Sequence, residues 1–449
     1  MPLDVNCEDN VDLKEFFGSF GVHNVDGFNL RPYKKRLLVA AQNALANWAP
    51  KRSSECSHKS EFQVIDFFSG CGGMSLGFAA LSAVHPFFEL IGGCDIKPEP
   101  CQSYKSNFNS PCIPADVRTL VAKDAMEELL AKFVSYRRSK PLIVIGCPPC
   151  QGFTSHRKKN WDKVDYRNEL VEVFSQIAVG LNPECIVMEN VPEILSHKYI
   201  ETFAKFTLTL QNAGYYVRQA IFNAASFGVP QDRFRAIIIA MKREFLLPAP
   251  LLNANQYITV REAIGNLPAL SAGERSLTDG LHQSVHHRPQ TLKTICAVPK
   301  NGGNRPHGVG PQCLDRIKGF SDVYGRLHWD RPSITITQYS RNPASGRFVH
   351  PEQDRGLTMR EAASLQSFPE GFVFCGSKGS IFKQIGEAVP PKMACAIASN
   401  VLIELLSQPP SVQEKQESIA SINQPVCDSY SSLISKLKQA RFRECIIPA

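Results

Sequence analysis

An α/β fold, built on an open Rossmann-like sheet with a smaller, loop-rich second domain, is what this 449-residue sequence predicts. Three observations carry the prediction. Short β-branched runs such as Ile143-Val144-Ile145-Gly146 stop at prolines, glycines or acids, and segments of helical period separate them, which is how buried strands of an α/β sheet read. Glycines crowd directly behind the first such run, at Gly70, Gly72 and Gly73, where the backbone of a strand-to-helix turn can approach a ligand. After Ala240 the periodicity lapses into loops until about Arg326.

Composition sets the outer bounds. A hydrophobic content of 43% over this length is enough for a real core. Fifteen cysteines at irregular spacings, without a charged-then-apolar leader, fit a reducing cytosol better than a disulfide framework. No run approaches 18 consecutive apolar residues, so no membrane span is expected. The net charge of +8 leans towards a polyanionic partner, although many enzymes are as basic.

Residues 1–60 read as a small helical extension, centred on Arg36–Leu45, followed by a polar linker. Residues 61–242 form the catalytic and cofactor-binding domain. Its first strand is Phe62–Phe68, followed by the turn Ser69-Gly70-Cys71-Gly72-Gly73. A second strand, Leu90–Cys94, ends in Asp95, placed to reach ribose hydroxyls, and a third acidic strand end follows at Asp116. The third glycine falls too late for G-x-G-x-x-G, which favours a nucleoside-bearing cofactor other than a dinucleotide.

The run at 143–146 then delivers Cys147-Pro148-Pro149-Cys150 into a loop, and the prolines, which cannot extend the ladder, aim the Cys150 thiol. Cys147 and Cys150 also read as two small buried hydrophobes, or as half of a metal or redox site that lacks a second C-x-x-C. A basic loop, His156–Lys159, precedes a helix that runs to Leu181, and the strand Cys185–Met188 ends in Glu189, suited to act as an acid unless it merely caps a turn. Arg233 and Arg235 alternate ahead of the strand Ala236–Ala240, so both are expected on one face, holding an anion or orienting Glu189.

These residues, in this order, resemble the C5-cytosine DNA methyltransferases of bacterial restriction-modification systems. The resemblance rests on Phe68–Gly73, Pro148-Pro149-Cys150-Gln151, Glu189-Asn190-Val191 and Gln231-x-Arg233-x-Arg235, then Arg331–Thr337, Arg355–Pro369 and Gln384–Pro391, and it covers residues 62 to about 405. It implies a Rossmann-like S-adenosylmethionine-dependent methyltransferase that methylates carbon 5 of a cytosine flipped from a specific duplex DNA sequence, protecting host DNA. Cys150 would add to C6, Glu189 would hold or protonate N3, and Arg233 and Arg235 would steady the glutamate, the base and nearby phosphate.

For S-adenosyl-L-methionine the resemblance implies Phe68, Ser69, Gly70, Cys71, Gly72, Gly73, Asp95, Ile96, Asp116, Val117, Pro149, Leu170, Glu387 and Ala388. For double-stranded DNA the expected contacts are Gln151, Ser155, Arg157, Lys158, Gln231 and Arg305. Residues 243–326 would be the target-recognition domain, 327–407 the return to the catalytic domain and 408–449 a C-terminal tail. Residues 241–330 carry 11 Lys plus Arg, 7 Asp plus Glu and five of the eleven histidines, which suits a base reader and equally a solvated loop insertion. The family has asparagine where this chain has Glu387, and a carboxylate there would repel the cofactor's own unless it turns away or meets a cation such as Lys392.

The expected setting is the bacterial cytoplasm, on the nucleoid, as a monomer paired with a restriction endonuclease, with neither metal nor membrane. A transfer RNA cytosine methyltransferase and a catalytically weak DNA-binding regulator are the alternative functions.

Overall fold

The computed structural model describes residues 30–50, 60–149, 169–316 and 322–416. The apolar runs become a seven-stranded sheet: β1 (Phe62–Phe67), β2 (Phe88–Asp95), β3 (Cys112–Pro114), β4 (Leu142–Gly146), β5 (Cys185–Asn190), β6 (Tyr216–Asn223) and β7 (Phe234–Met241). The helices are α1 (Lys34–Ala46), α2 (Gly73–Val84), α3 (Pro98–Asn107), α4 (Lys123–Ala131), α5 (Glu169–Leu181), α6 (Ile200–Asn212), α7 (Val260–Ile264), α8 (Pro289–Cys296), α9 (Met359–Leu365), α10 (Lys378–Glu387) and α11 (Pro391–Leu406).

The described chain divides into two compact units. The first takes the residues up to Phe222, then Phe234–Ala249, then those from Ala394 onwards; the second takes Asn223–Arg233 and Pro250–Met393. Residues 327–393, expected to rejoin the catalytic domain, therefore group with the second unit.

In the first unit the strand order is β3-β2-β1-β4-β5-β7-β6. β1 pairs parallel with β2 and β4, and β4 with β5, whereas β7 runs antiparallel to β5. β1, β4 and β5 are buried along their whole lengths, which explains why they read as largely apolar runs. Each fully buried Ile, Val or Phe in them contributes roughly 1.5–3 kcal/mol. β6 was not foreseen, because Tyr216–Gln219 stay wholly or partly exposed and show no buried period.

α2 is apolar nearly all round, and α1 packs on it through Leu37, Leu38, Ala41 and Leu45. What read as an extension is thus part of the first unit. Its anchor is Glu404 in α11, a buried carboxylate that accepts from Arg31 Nη2 at 2.8 Å, Lys34 Nζ at 3.4 Å and the Leu246 amide at 3.1 Å.

The second unit has little regular structure, so many buried carbonyls need donors from side chains. Arginines supply them. Arg326, fully buried, donates to the carbonyls of Ile295, Val298, His350 and Gln353, around a small core of Ile295, Val298, Val323, Tyr324 and Val349. Arg355 holds Glu361 through two parallel hydrogen bonds of 2.8 and 2.7 Å.

Candidate active site

Parallel strands place their carboxyl ends on one edge of the sheet, and the register here is tight: Phe67 lies opposite Gly146, and Gly146 opposite Met188. The next residues, Phe68 with its glycine turn, Cys147 with its two prolines, and Glu189, leave that edge together. Asn190 Nδ2 donates to the Pro148 carbonyl at 3.3 Å, tying the Pro-Pro turn to β5. Cys150, Gln151, Ser155, Arg157 and Lys158 lie outside the described residues. Burial pushes the Cys147 thiol well above its ordinary range, with the Glu189 charge adding to the effect, so Cys147 is an inert neighbour rather than a thiolate.

Glu189 is buried, and Arg235 Nε meets its Oε1 at 2.7 Å. Among the described residues, Arg233 donates hydrogen bonds to backbone carbonyls. It belongs to the second unit, where Nη1 donates to the Ile336 carbonyl at 3.0 Å and Nη2 to those of Gly386 and Ala388 at 3.1 and 3.0 Å. The reason is positional: β7 begins at Phe234, so Arg233 precedes the pleat that would have set the two side chains on one face.

Two of the residues expected at DNA are engaged within the protein. Gln231 is fully buried, donating to the Leu365 carbonyl and Gln366 Oε1 and accepting from the Ile336 amide. Arg305 donates to the Pro306 and Val309 carbonyls and pairs with Asp315 at 2.8 Å, with its side chain only 7% exposed. Both are ties within loops.

At the turn after β1, Phe68 and Gly70 take positive φ of 55° and 52°, and Gly72, at 94°, begins α2. Asp95, at the end of β2, accepts the Gly70 amide on Oδ2 at 3.0 Å and the Lys97 amide on Oδ1 at 2.9 Å. A Cβ on Gly70 would meet nothing within 4 Å among the described residues, so the turn is open on their side. Ile96 stands 61% exposed beside it, whereas Cys71, Val117 and Leu170 are buried. Asp116 accepts from the Arg118 amide and its Nε, both at 3.0 Å, and those hydrogen bonds hold its carboxyl below the usual range. Among the described residues no three His, Cys, Asp or Glu side chains gather as a metal site.

Asp66, which the sequence did not single out, sits beneath this turn. Ser75 Oγ donates to its Oδ2 at 2.6 Å, and Oδ1 is buried without a hydrogen-bond partner among the described residues. Burial raises its carboxyl from 3.8 to about 7. The folded chain therefore holds a proton there that the unfolded chain has lost. Stability from this group is complete below the unfolded value and disappears as pH rises from about 4 through about 7, on the order of a few kcal/mol. Asp66→Asn should flatten the pH dependence of unfolding in that window, and parallel denaturation curves for the two proteins between pH 5 and 8, about the range concerned, would rule this out.

Glu387 ends α10 in the second unit, with Oε1 3.9 Å from Lys383 Nζ, both side chains more than a third exposed. A cation is at hand in Lys383, one helical turn back, and a pair this exposed is worth under about 1 kcal/mol. Glu387→Asn should accordingly tighten S-adenosylmethionine by less than about threefold. A calorimetric gain of tenfold or more, about 1.4 kcal/mol, would show an uncompensated carboxylate facing the cofactor.

Residues 62–402 match the family described as C-5 cytosine-specific DNA methylase. The type II methyltransferase M1.HphI of Haemophilus parahaemolyticus is 38% identical over 340 residues, covering 75% of this chain and 86% of its own. The type II methylase M.HgiDII of Herpetosiphon aurantiacus is 31% identical over 347 residues, 75% of this chain and 94% of its own. A solved structure described as a DNA modification methyltransferase encoded within an E. coli prophage shares the fold, with a TM-score of 0.58 at 23% identity over 77% of this chain and 99% of that one. With a family match over most of its length and a glycine turn, a Pro-Pro turn and a paired glutamate leaving one sheet edge, the chain belongs to the C-5 cytosine-specific DNA methylases.

Proposed function

We propose that this DNA (cytosine-5-)-methyltransferase takes its methyl group from S-adenosylmethionine, acts on a cytosine flipped out of duplex DNA, and serves as the modification partner of a restriction endonuclease. The observation that carries the reading is Glu189, buried and held at 2.7 Å by Arg235 on the sheet edge where the chain runs into Cys150.

Cytosine C5 is a weak nucleophile. Addition of the Cys150 thiolate to C6 would make it reactive, and Glu189, protonating N3 and holding the N–H so formed, would draw charge from the ring as the thiolate adds; loss of the C5 proton after methyl transfer would break the C6–sulfur bond and return the thiolate. Arg235 keeps that carboxylate fixed. Flipping costs a few kcal/mol of lost stacking and pairing, and the basic segment Arg157-Lys158 is proposed to hold the opened duplex.

The cofactor supplies an electrophilic methyl group, and the turn at 68–73 suits it. Among the described residues open space lies at Gly70, Ile96 offers an exposed apolar face for adenine, and each Asp95 oxygen, though already accepting one amide, keeps a lone pair for a ribose hydroxyl. Asp116, preorganised by Arg118, is proposed to face the adenine amino group.

Residues 243–326, most of which belong to the second unit, are proposed to read the target sequence, with Arg275, Arg288 and His307 exposed in loops and Lys293 exposed on α8. Exchanging this interval for that of a relative with a different target should move the methylated sequence in bisulfite reads; an unchanged pattern would remove it from recognition. Action in the bacterial cytoplasm, as a monomer, completes the proposal; the type II names and bacterial sources of the relatives support the bacterial setting.

Incubation with labelled S-adenosylmethionine on duplex DNA and on transfer RNA tests the whole. Label in DNA is expected; label in RNA alone, or in neither, would replace this reading with one of the two alternatives.

A further inference from the structure

We infer that Trp48, which precedes the family-matched residues 62–402, is a positioning residue for the cofactor-binding turn, acting through Phe108 on Gly72. The inference rests on the S-adenosylmethionine reading above. It starts from a tight spot in the turn.

Gly72 holds the left-handed conformation that opens α2, and a Cβ there would lie 2.3 Å from Phe108 Cε2 and 3.0 Å from Tyr104 Cδ2. The two rings therefore pack directly on the turn's backbone. They also pack on each other, with centroids 4.6 Å apart, and Tyr104 OH lies 3.2 Å from Ser75 Oγ in the first turn of α2. Phe108 follows the last residue of α3, where the helix ends, so packing on its far side has to come from another element.

Trp48 fills that place. Its ring centroid is 5.9 Å from that of Phe108, tilted by 57°, and it is 8% exposed. Indole Nε1 is buried without a hydrogen-bond partner among the described residues, so the contribution of this side chain here is the ring face and not its polar atom. Trp48 follows α1, whose apolar face lies on α2 and whose other end is fixed by the Arg31–Glu404 pair. Both ends of the brace are anchored in the first unit. A stretch that carries none of the family's residues thereby sets the ring that shapes the cofactor turn.

The full-length chain provides the test. Trp48→Leu and Phe108→Leu should each raise the calorimetric Kd for S-adenosylmethionine and for S-adenosylhomocysteine, and the cofactor KM, by about 5- to 20-fold, a fraction of the packing lost. Turnover at saturating cofactor should stay within about twofold, because the loss is one of uniform binding. Trp48→Phe, which keeps a ring and removes the unpaired N–H, should bind nearly as wild type. Arg31→Gln should lower Tm and leave cofactor affinity unchanged, since it loosens α1 at its far end.

Folded Trp48→Leu or Phe108→Leu protein with wild-type affinity would overturn the inference. So would Arg31→Gln weakening the cofactor as much as Trp48→Leu does, which would mean that general stability is responsible. If Trp48→Leu does not fold, Phe108→Leu decides alone. A wild-type chain that fails to bind the cofactor would instead sink the S-adenosylmethionine reading, and the two failures are distinct.

Discussion

Cys150→Ser should lower turnover by more than about 10³-fold while duplex binding and cofactor binding survive, because a hydroxyl at this position cannot supply the thiolate. Cys147→Ser should keep most of the activity. Its thiol is pushed high by burial beside Glu189, and it makes no anion to lose. Single-turnover methylation of a defined duplex separates the two variants. Equal loss in both, together with one zinc per chain, would replace the nucleophile with a metal site built on the C-x-x-C spacing.

The second large effect belongs to Arg235. Removing it leaves Glu189 buried at the sheet edge without its 2.7 Å partner, and such an uncompensated carboxylate costs about 3–5 kcal/mol. Arg235→Ala should therefore unfold at distinctly lower denaturant and methylate about 10²–10⁴-fold more slowly. Adding Glu189→Gln to Arg235→Ala should recover most of the stability and none of the activity. That opposition identifies the pair: stability responds to the unpaired charge, catalysis to the carboxylate itself. If Arg235→Ala turned over at the wild-type rate, the arginine would be a structural partner only.

Why the strands were legible and the second unit was not comes down to how many environments a residue pattern can occupy. β1, β4 and β5 are buried on both faces, so mostly apolar residues fit there and the sequence shows them openly. β6, half in water, carries no such mark. Glu189 was visible because a carboxylate closing an apolar run must have a reason. The internal hydrogen bonds of Gln231 and Arg305 were not legible, because a polar side chain in a Gly- and Pro-rich loop looks the same whether it reaches a ligand or ties the loop to itself. Arg233 shows the same ambiguity at finer scale, since one residue of register decides whether it points with Arg235 or leaves the strand. Asp66 passed unnoticed inside β1, where its burial with Ser75 depends on contacts nine residues apart.

The clasp on Glu404 also constrains how the chain is made. Arg31 pairs both with Glu404 and with Glu414, the latter 383 positions downstream. At synthesis rates of about 5–20 residues per second, Arg31 and Lys34 wait on the order of 20–80 s before their carboxylates leave the ribosome. Throughout that interval the apolar face of α1 has α2 to lie on but nothing to fasten its amino end. The first unit is therefore closed late, by a charge pair, after every strand of its sheet and all of the second unit have been translated. Growth temperature and the supply of chaperones should then govern the yield of folded protein more than the sheet's own stability does.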